Sequence, residues 1–472
     1  MSLFRTQPID RICARAAAEG GGPRLARRLG AFDLTMLGIG AVIGVGIFVL
    51  TGTAAATRAG PAIMLSFALG GIGCALAGCA YAELASVVPV AGSAYTYAYA
   101  TLGELPAWII GWDLVLEYAV GAIAVSIGWS GHLVELLASF GVRIPERLVH
   151  GTLDGGLVNL PAVLLVVALT LLQVRGVKES ARVASAVVFV KLAVVLLFLI
   201  LGAPHVEAAN WRPFLPFGSW GVVAGAGVVF FAFIGFDAIT TASEETIRPQ
   251  RDLPIALFTS LFICTLLYMA VAAVLTGMLP FRELNHPAPV AMALVRSGVT
   301  WGGRVVALGV VFGLASVVLV MMMGQPRIFF AMSRDGLLSP WIAAVHPRYH
   351  TPHRATLVTG AVVAVAAGTL PFQLVAQMTS IGTLFAFVLV SLGVIALRRS
   401  RPDLPRAFRT PWVPWVPGLG ALLCFLMMLG LDGWTWVRFG SWMAIGLVVY
   451  ATYGRRHALR GQAIVRVPSP EA

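Results

Sequence analysis

Five ionisable side chains fall inside long apolar stretches of this 472-residue sequence. Asp113 and Glu117 share one stretch, Lys191 and Asp237 occupy two others, and Glu83 lies near the end of a fourth. Ionisable groups within membrane-spanning segments are expensive, which makes each one a candidate for substrate binding or proton transfer. Asp113 and Glu117 are four residues apart, a spacing that predicts a shared helix face. We expect Glu83 to be a helix-end residue.

Lys191 is the sharpest of these signals, because arginine fills 31 of the 33 basic positions. Lysine can lose its proton when it is desolvated, whereas arginine effectively cannot. Lys191 and Glu117 each lie roughly 14–18 Å into their stretches, near the middle of a bilayer. The pattern predicts a proton-coupling group of Lys191, Glu117, Asp237 and Asp113. The alternatives are an ion pair of Lys191 with Asp237 or Glu117, a snorkelling lysine, and structural hydrogen bonding of Asp113 and Glu117.

A glycine-rich run predicts an interrupted helix. Gly38, Gly40, Gly44 and Gly46 fall within nine residues, and each weakens a helix by about 1 kcal/mol relative to alanine. Unpaired backbone at membrane depth is tolerated only against a cavity or against protein. A half-helix N-terminus attracts a carboxylate and freed carbonyl groups attract an ammonium, which together describe a zwitterion site. A small-residue packing surface between helices is the alternative.

The composition indicates an all-α integral membrane protein. Hydrophobic residues make up 58% of the chain and charged residues 11%, and the mean hydropathy is +0.87. A soluble domain averages about a quarter charged residues. We predict twelve transmembrane helices, at roughly 31–54, 60–86, 106–131, 157–174, 182–202, 218–242, 254–279, 303–330, 354–370, 374–397, 414–431 and 434–452.

Loop charges predict the orientation. The termini and the loops on their side carry 24 Lys and Arg residues, the opposite loops carry eight, and Lys191 lies within a span. By the positive-inside rule both termini are cytoplasmic, in the cell (inner) membrane. We expect a cytoplasmic N-terminal segment at 1–30 without a cleavable signal, a transporter domain at 31–454 and a cytoplasmic tail at 455–472. The dispersed arginines do not predict nucleic-acid binding.

A second aromatic and glycine-containing segment, from Phe230 to Asp237, lies five spans after the glycine-rich run. An odd displacement reverses the membrane orientation of a repeat, so we predict two inverted repeats, about 31–202 and 218–397, followed by extra helices at about 414–452.

The sequence offers no pattern for catalysis or metal binding. Its five cysteines have no C-x-x-C spacing, and no Cys or carboxylate cluster accompanies the loop histidines. Neither Ser-His-Asp spacing nor H-E-x-x-H is present, and a channel would need a repeated pore ring. We therefore expect neither an enzyme nor a cofactor.

Several motifs together resemble the amino acid, polyamine and organocation superfamily, and within it bacterial members of the cationic amino acid transporter family. They run in family order over roughly residues 30–450 and comprise Gly38 to Phe48, Gly111 to Tyr118, Val174 to Ser180, Phe236 to Pro254 and Phe330 to Leu338. The resemblance implies the leucine-transporter fold, with a 5+5 inverted repeat plus two helices. It also implies sodium-independent transport and proton coupling.

Position by position, the resemblance places a substrate between the two interrupted helices. Main-chain N–H groups of Val45 and Gly46 would hold its carboxylate, across a break that includes Ile43 and Gly44. Carbonyl groups of Val42, Phe231 and Ile234 would hold its ammonium. Lys191 would fill the place of a sodium ion in sodium-coupled relatives. One departure is Val45, which stands where relatives commonly have Ser or Thr, so that a hydroxyl contact is lost.

The resemblance also implies that Met321, with Met322 and Met323, floors the side-chain pocket. The region has no evident carboxylate, and an unpaired cationic side chain would be unfavourable in low dielectric. We therefore predict proton-coupled uptake of neutral small or apolar amino acids by alternating access. The alternative for Met321 is core packing alone. The alternative functions are cationic amino acid uptake, obligate exchange and substrate sensing as a receptor. A small single-helix accessory subunit stays an open question.

Overall fold

The computed structural model describes residues 29–87, 94–176, 181–236, 239, 246–349 and 351–458. Within these ranges the chain is helical apart from turns, short loops and an isolated bridge between Leu29 and Thr246. The helices, labelled α1 to α15 in chain order, run over Ala31–Val42, 46–59, Ile63–Val87, Ala94–Thr101, Glu104–Ser139, Leu160–Arg175, Ala181–Gly202, Gly218–Phe233, Pro249–Met278, Pro289–Arg296, Thr300–Arg334, His353–Thr369, Phe372–Ser400, Trp415–Leu429 and Gly433–Ala458.

Six helical runs in the described part of the chain are long and apolar enough to cross a membrane. They are Gly46–Val87, Glu104–Ser139, Ala186–His205, Pro249–Met278, Thr300–Arg334 and Phe372–Ser400. Helices α14 and α15 meet the same criterion as a pair bent by 115°, and α1, α6 and α8 are shorter apolar helices. The expectation of an all-helical membrane protein is confirmed.

Helix boundaries differ from the predicted spans at identifiable residues. The run Gly46–Val87 turns at Gly60, whose φ of +62° separates α2 from α3. Helix α5 continues to Ser139, beyond the predicted limit at 131, and the chain turns at Gly141 with φ +84°. The 280–302 segment contains a short 3-10 turn and α10.

The helices pack in two main groups. Helix α9 packs against α1 and α3, and α3 also packs against α8. In the second group α5 packs against α11, and α6 packs against α12. Helix α13 contacts both groups through α3 and α5, and α7 contacts α1, α9 and α11. This arrangement brings the ends of α1 and α8 together in the protein interior.

Candidate functional site

Helix α1 ends inside the glycine-rich run. Ile43 adopts an extended conformation, with φ −71° and ψ 100°, and its N–H donates the last helical hydrogen bond to the Ile39 carbonyl at 2.9 Å. Because no further turn follows, the carbonyl groups of Gly40 and Val42 lose their helical donors. The helix resumes at Gly46 as α2. The break therefore exposes acceptors on one side and the first N–H groups of α2 on the other.

Lys191 satisfies one of the released carbonyl groups. Its Nζ atom donates to the Gly40 carbonyl oxygen at 2.8 Å, and the side chain is 3% exposed. The aliphatic part crosses Gly313 of α11, where an added Cβ would lie 3.1 Å from Lys191 Cγ. None of the ion pairs within the described ranges includes Lys191. Asp237, which the sequence analysis named as one possible ion-pair partner of Lys191, lies outside the described residues.

Tyr268 on α9 satisfies a second carbonyl group released by the break, that of Val42. The sequence analysis did not single out this tyrosine. Its hydroxyl oxygen lies 2.8 Å from the Val42 carbonyl oxygen and 2.9 Å from that of Ala232. A phenol has one proton to donate, so the two carbonyl groups compete for it. A buried tyrosine in an apolar helix is an ordinary core residue by pattern, and no local signal marks this one.

The second interruption lies at the end of α8. Phe230–Phe233 form a 3-10 turn, Ile234 is extended with ψ 138°, and Gly235 has a φ of +97°. An added Cβ on Gly235 would lie 3.2 Å from the Ala41 carbonyl oxygen. Both the positive φ and this close approach to α1 favour glycine at this position.

The two interruptions touch each other directly. An added Cβ on Gly46 would lie 2.3 Å from the Ala232 Cα atom, so the backbones meet with no room for a side chain. Val45 points away from this contact, towards Gly128 of α5. Val42, Ile43, Val45, Phe231 and Ile234 are each no more than 4% exposed. The broken segments therefore form one buried backbone junction.

The predicted ammonium-binding carbonyl groups are partly occupied within the protein. The Val42 carbonyl accepts from Tyr268, and the Phe231 carbonyl accepts from the Ile234 N–H at 3.2 Å. Each carbonyl oxygen has a second lone pair, so both retain the capacity to accept from a ligand. Val45 and Gly46, the predicted carboxylate donors, lie at the start of α2, where helical N–H groups lack helical acceptors.

One face of α11 borders this junction. Val317 lies 3.7 Å from the position of an added Cβ on Gly44. Met321, one turn further on, packs with its sulfur 3.2 Å from the corresponding position on Gly121 of α5, and near Thr379 of α13. Met322 is buried and Met323 is half-buried. Met321 thus lies between three helices, one turn from the residue that faces the break.

The predicted proton-coupling residues that the structure describes have different contacts. Asp113 faces α13, where an added Cβ on Gly382 would lie 2.9 Å from its Oδ1 atom. That oxygen is buried and has no hydrogen-bond partner among the described residues. Glu117 is buried and has an interaction partner within the protein. Lys191 instead faces α1 and α11.

Glu83 has a structural environment at its end of α3. The buried carboxylate accepts from Arg398 at 2.7 and 2.9 Å and from the Thr410 N–H at 2.8 Å, and Arg406 lies 3.1 Å away. These contacts join α3, α13 and the segment before α14. None of these partners belongs to the broken segments of α1 and α8. The environment is the one expected for a helix-end residue.

Arg58 forms a second interhelical ion pair, which the sequence reasoning missed. It pairs with Asp432, between α14 and α15. Asp432 also accepts from the Gln377 side chain at 2.9 Å, and Gln377 accepts from the Thr435 hydroxyl at 2.7 Å. This network fixes the end of α2 to α13 and α15.

Comparison with known proteins identifies the family. The family model described as amino acid permease matches residues 29–454. Branched-chain amino acid permease BcaP of Bacillus subtilis is 48% identical over 470 residues, which cover 98% of this chain and 99% of that protein. The methylthioribose transporter of the same organism is 46% identical over 460 residues, covering 97% and 99%. Cationic amino acid transporter 4, vacuolar, of Arabidopsis thaliana is 38% identical over 410 residues, covering 85% and 68%.

These relatives are named permeases and transporters, not enzymes, and their similarity extends over nearly all of the described helices. The match agrees with the apolar helices of the described chain. The chain therefore belongs to the amino acid permease family, within the amino acid, polyamine and organocation superfamily, and is a multi-pass membrane transporter of bacterial type.

Proposed function

We propose that the protein is a sodium-independent, proton-coupled importer of neutral small or apolar amino acids. The observation that carries the proposal is the buried junction at which Gly46 meets Ala232, because it combines the first N–H groups of α2, carbonyl acceptors and an adjacent lysine. A zwitterion needs donors for its carboxylate and acceptors for its ammonium, and both lie within this junction. Val45 and Gly46 donate to the carboxylate, and Val42, Phe231 and Ile234 accept from the ammonium.

The proposed architecture follows the family resemblance. Twelve spans form a 5+5 inverted repeat over 31–202 and 218–397, with two extra helices and with both termini in the cytoplasm of the cell. Helices α1, α3, α8 and α9 move against a group that includes α5, α6, α11 and α12. This division is supported by the two packing groups of the structure. Alternating access then exposes the junction to one side of the membrane at a time.

Lys191 links the site to protons in this mechanism. As an ammonium it donates to the Gly40 carbonyl and holds the end of α1 in place. Loss of the proton weakens that bond, because a neutral amine is a poorer donor than a charge-assisted one. Release of α1 then favours opening. Asp113, Glu117 and Asp237 are proposed as further members of the proton path.

The apolar side chains on the face of α11 that borders the junction support a neutral cargo. Val317 and Met321 offer apolar contacts beside the break, and neither supplies a counter-charge for a cationic side chain. An unpaired guanidinium or ammonium would be strongly unfavourable there. The names of the two BcaP relatives, which are 48% and 35% identical, favour branched-chain amino acids.

The experiment is uptake of labelled leucine, valine and alanine into sodium-free proteoliposomes with an inward proton gradient. We expect accumulation that a protonophore abolishes, with protein-free liposomes as the control. Uptake indifferent to the gradient would overturn proton coupling. Uptake that occurs only when the vesicles contain an amino acid would instead support an obligate exchanger. Ligand binding without any flux would support a receptor.

A second candidate cargo is a methylthio-substituted sugar. The observation that favours it is the 46% identity to the methylthioribose transporter over 99% of that protein. Such a cargo has no carboxylate and no ammonium group. It would therefore donate hydrogen bonds from its hydroxyl groups to the junction carbonyl groups, without the charge contacts that a zwitterion makes. Competition of unlabelled methylthioribose against leucine uptake separates the two, because only a shared site gives competitive inhibition.

A further inference from the structure

The chain between α9 and α11 packs against both α2 and α5. This bridging segment runs over 281–296 and contains a 3-10 turn followed by α10. An added Cβ on Gly52 of α2 would lie 2.4 Å from the Leu284 carbonyl oxygen, and one on Gly131 of α5 would lie 2.8 Å from Pro287 Cβ. Neither contact has room for a side chain, so the segment is held closely to both helices.

These two contacts lie near the broken helices. Val45, at the first break, packs on Gly128 of α5, and Gly131 follows three residues later. On α2, Gly52 lies six residues beyond Gly46. At 1.5 Å per residue the two contacts are about 5 and 9 Å further along their helices than the junction. The bridging segment is therefore the next layer of the protein on this side of the junction.

His286 stabilises the bridging segment only while its Nδ1 atom is unprotonated. That atom accepts from the Ala288 N–H at 3.1 Å, at the turn into α10. A proton on Nδ1 would turn the acceptor into a donor and so break this hydrogen bond. Burial lowers the pKa of His286, although the nearby Glu135 carboxylate opposes this shift.

His132 of α5 follows Gly131 directly and is 0% exposed. Its Nδ1 atom lies 3.0 Å from the Gly128 carbonyl oxygen and donates to it, because a carbonyl group can only accept. The neutral ring then has a lone pair on Nε2, and that atom has no hydrogen-bond partner among the described residues. A second proton would leave a buried, unpaired charge, close enough to His286 for the charges of the two rings to interact.

Few other charged groups surround the two imidazoles. Glu135 and Arg296 both act on His286, and Arg296 is paired with Glu283. Arg304 of α11 donates to a carbonyl group of α5 instead. The parts of α2, α7 and α9 on this side contain no ionisable side chain, over residues 46–57, 192–202 and 269–278. Glu135 therefore offsets part of a charge on His286 without reversing the effect of burial.

We infer that His132 and His286 form a proton-operated latch, which holds the bridging segment against α2 and α5 while both rings are neutral and releases it when they bind protons. In the released state an exposed histidine has a pKa of about 6.5. Lowering the pH from 7.5 to 5.5 then favours release about tenfold per histidine. The role in transport rests on the proposed function, because the predicted orientation places the segment outside the cell. Acid outside would open that side for loading.

Thiol labelling of the purified protein measures release without any transport. Leu284→Cys places a thiol at a position with 0% exposure in the segment, and Arg282→Cys places one at an exposed position beside it. The ratio of their labelling rates by a methanethiosulfonate reagent cancels the pH dependence of the thiol itself. We expect this ratio to rise at least about tenfold from pH 7.5 to pH 5.5. Protein without either added cysteine gives the background.

The latch variants are His132→Asn and His286→Asn, alone and together. Asparagine does not titrate, its side-chain oxygen can accept from the Ala288 N–H, and its amide nitrogen can replace the Nδ1–H of His132. We expect a smaller rise of the labelling ratio in each single variant and none in the double variant. The matched control is His150→Asn, at an exposed histidine paired with Asp154, which should respond as wild type does.

A labelling ratio that does not rise in the wild type, or that rises equally in the double variant, would overturn the latch. Should the double variant fail to fold, His286→Asn alone decides the question, because a rise as large as that of wild type would overturn the latch. Leucine uptake by the same proteins tests the proposed function separately. Its absence would overturn that function and leave the labelling result standing.

Discussion

The hydroxyl oxygen of Tyr268 lies 2.8 Å from the carbonyl oxygen of Val42, at the point where α1 ends. The same hydroxyl lies 2.9 Å from the Ala232 carbonyl of the second broken segment. One side chain of α9 therefore connects both interruptions. Because a single proton serves two acceptors, the proposed function would let a ligand ammonium replace the hydroxyl at whichever carbonyl group it leaves.

Tyr268→Phe should impair transport as well as stability, because the hydroxyl bridges the two broken segments. The change leaves the two carbonyl groups without their donor, and an unsatisfied buried acceptor costs about 1–3 kcal/mol. We expect kcat/KM for leucine to fall roughly 10-fold or more in proteoliposomes. The matched control is Tyr450→Phe, which loses a 2.8 Å hydrogen bond to Glu104 away from the junction. Equal uptake by both variants would remove Tyr268 from the mechanism.

Lys191→Arg should abolish proton-driven accumulation although it preserves the charge. A guanidinium does not release its proton at physiological pH, and the larger group must fit between Gly40 and Gly313. We expect leucine uptake under a proton gradient to fall to the level of protein-free liposomes. Arg304→Lys, a change at an exposed basic residue, should leave uptake near the wild-type rate. Gradient-driven uptake above half of the wild-type rate in Lys191→Arg would contradict a proton-coupling role for this side chain.

Gly46→Ala should separate the two broken segments. The added methyl group would lie 2.3 Å from Ala232 Cα, a distance that requires one backbone to move. We expect a loss of about 2 kcal/mol or more of stability, visible as a lower unfolding temperature, together with loss of ligand-induced thermal shifts. Gly440→Ala in α15 has open space around it and should be neutral or slightly stabilising. Equal unfolding temperatures for the two variants would refute the contact.

Asp432→Asn should alter the acid sensitivity of the protein. Burial alone would raise the pKa of Asp432, but hydrogen bonds from Arg58 and Gln377 outweigh it and hold the pKa below its ordinary value. The stabilising contribution of the carboxylate is therefore present above its unfolded pKa of about 3.9 and is lost as the pH falls through the folded pKa. We expect the variant to be less stable than wild type at pH 6, by about 1 kcal/mol, with a smaller difference at about pH 3, below the unfolded pKa.

Thermal unfolding in detergent at both pH values measures this difference. Asp403→Asn is the control, because Asp403 forms an exposed ion pair with Arg401 at 3.5 Å and exposed pairs contribute little. A stability difference for Asp432→Asn that grows as the pH falls would show that the sign of the argument is wrong.

The sequence alone determined the class of protein and the location of the first break. Apolar stretches near 20 residues in length and a low charge content are local properties, and they require membrane helices whatever the packing. Gly38, Gly40, Gly44 and Gly46 weaken their helix wherever it packs, and α1 does end among them, at Val42. Lys191 could also be singled out from the sequence, because a lysine is unfavourable in any apolar helix however that helix packs.

Only the tertiary structure decided which groups these residues meet. The Gly40 carbonyl that Lys191 contacts is 151 residues away, and the Val42 carbonyl beside Tyr268 is 226 residues away. Hydropathy and propensity carry no information about such pairs, because they depend on how two helices are turned towards each other. The same packing turned Asp113 towards α13 instead of Lys191, and left the Nε2 atom of His132 buried without a partner in the described chain.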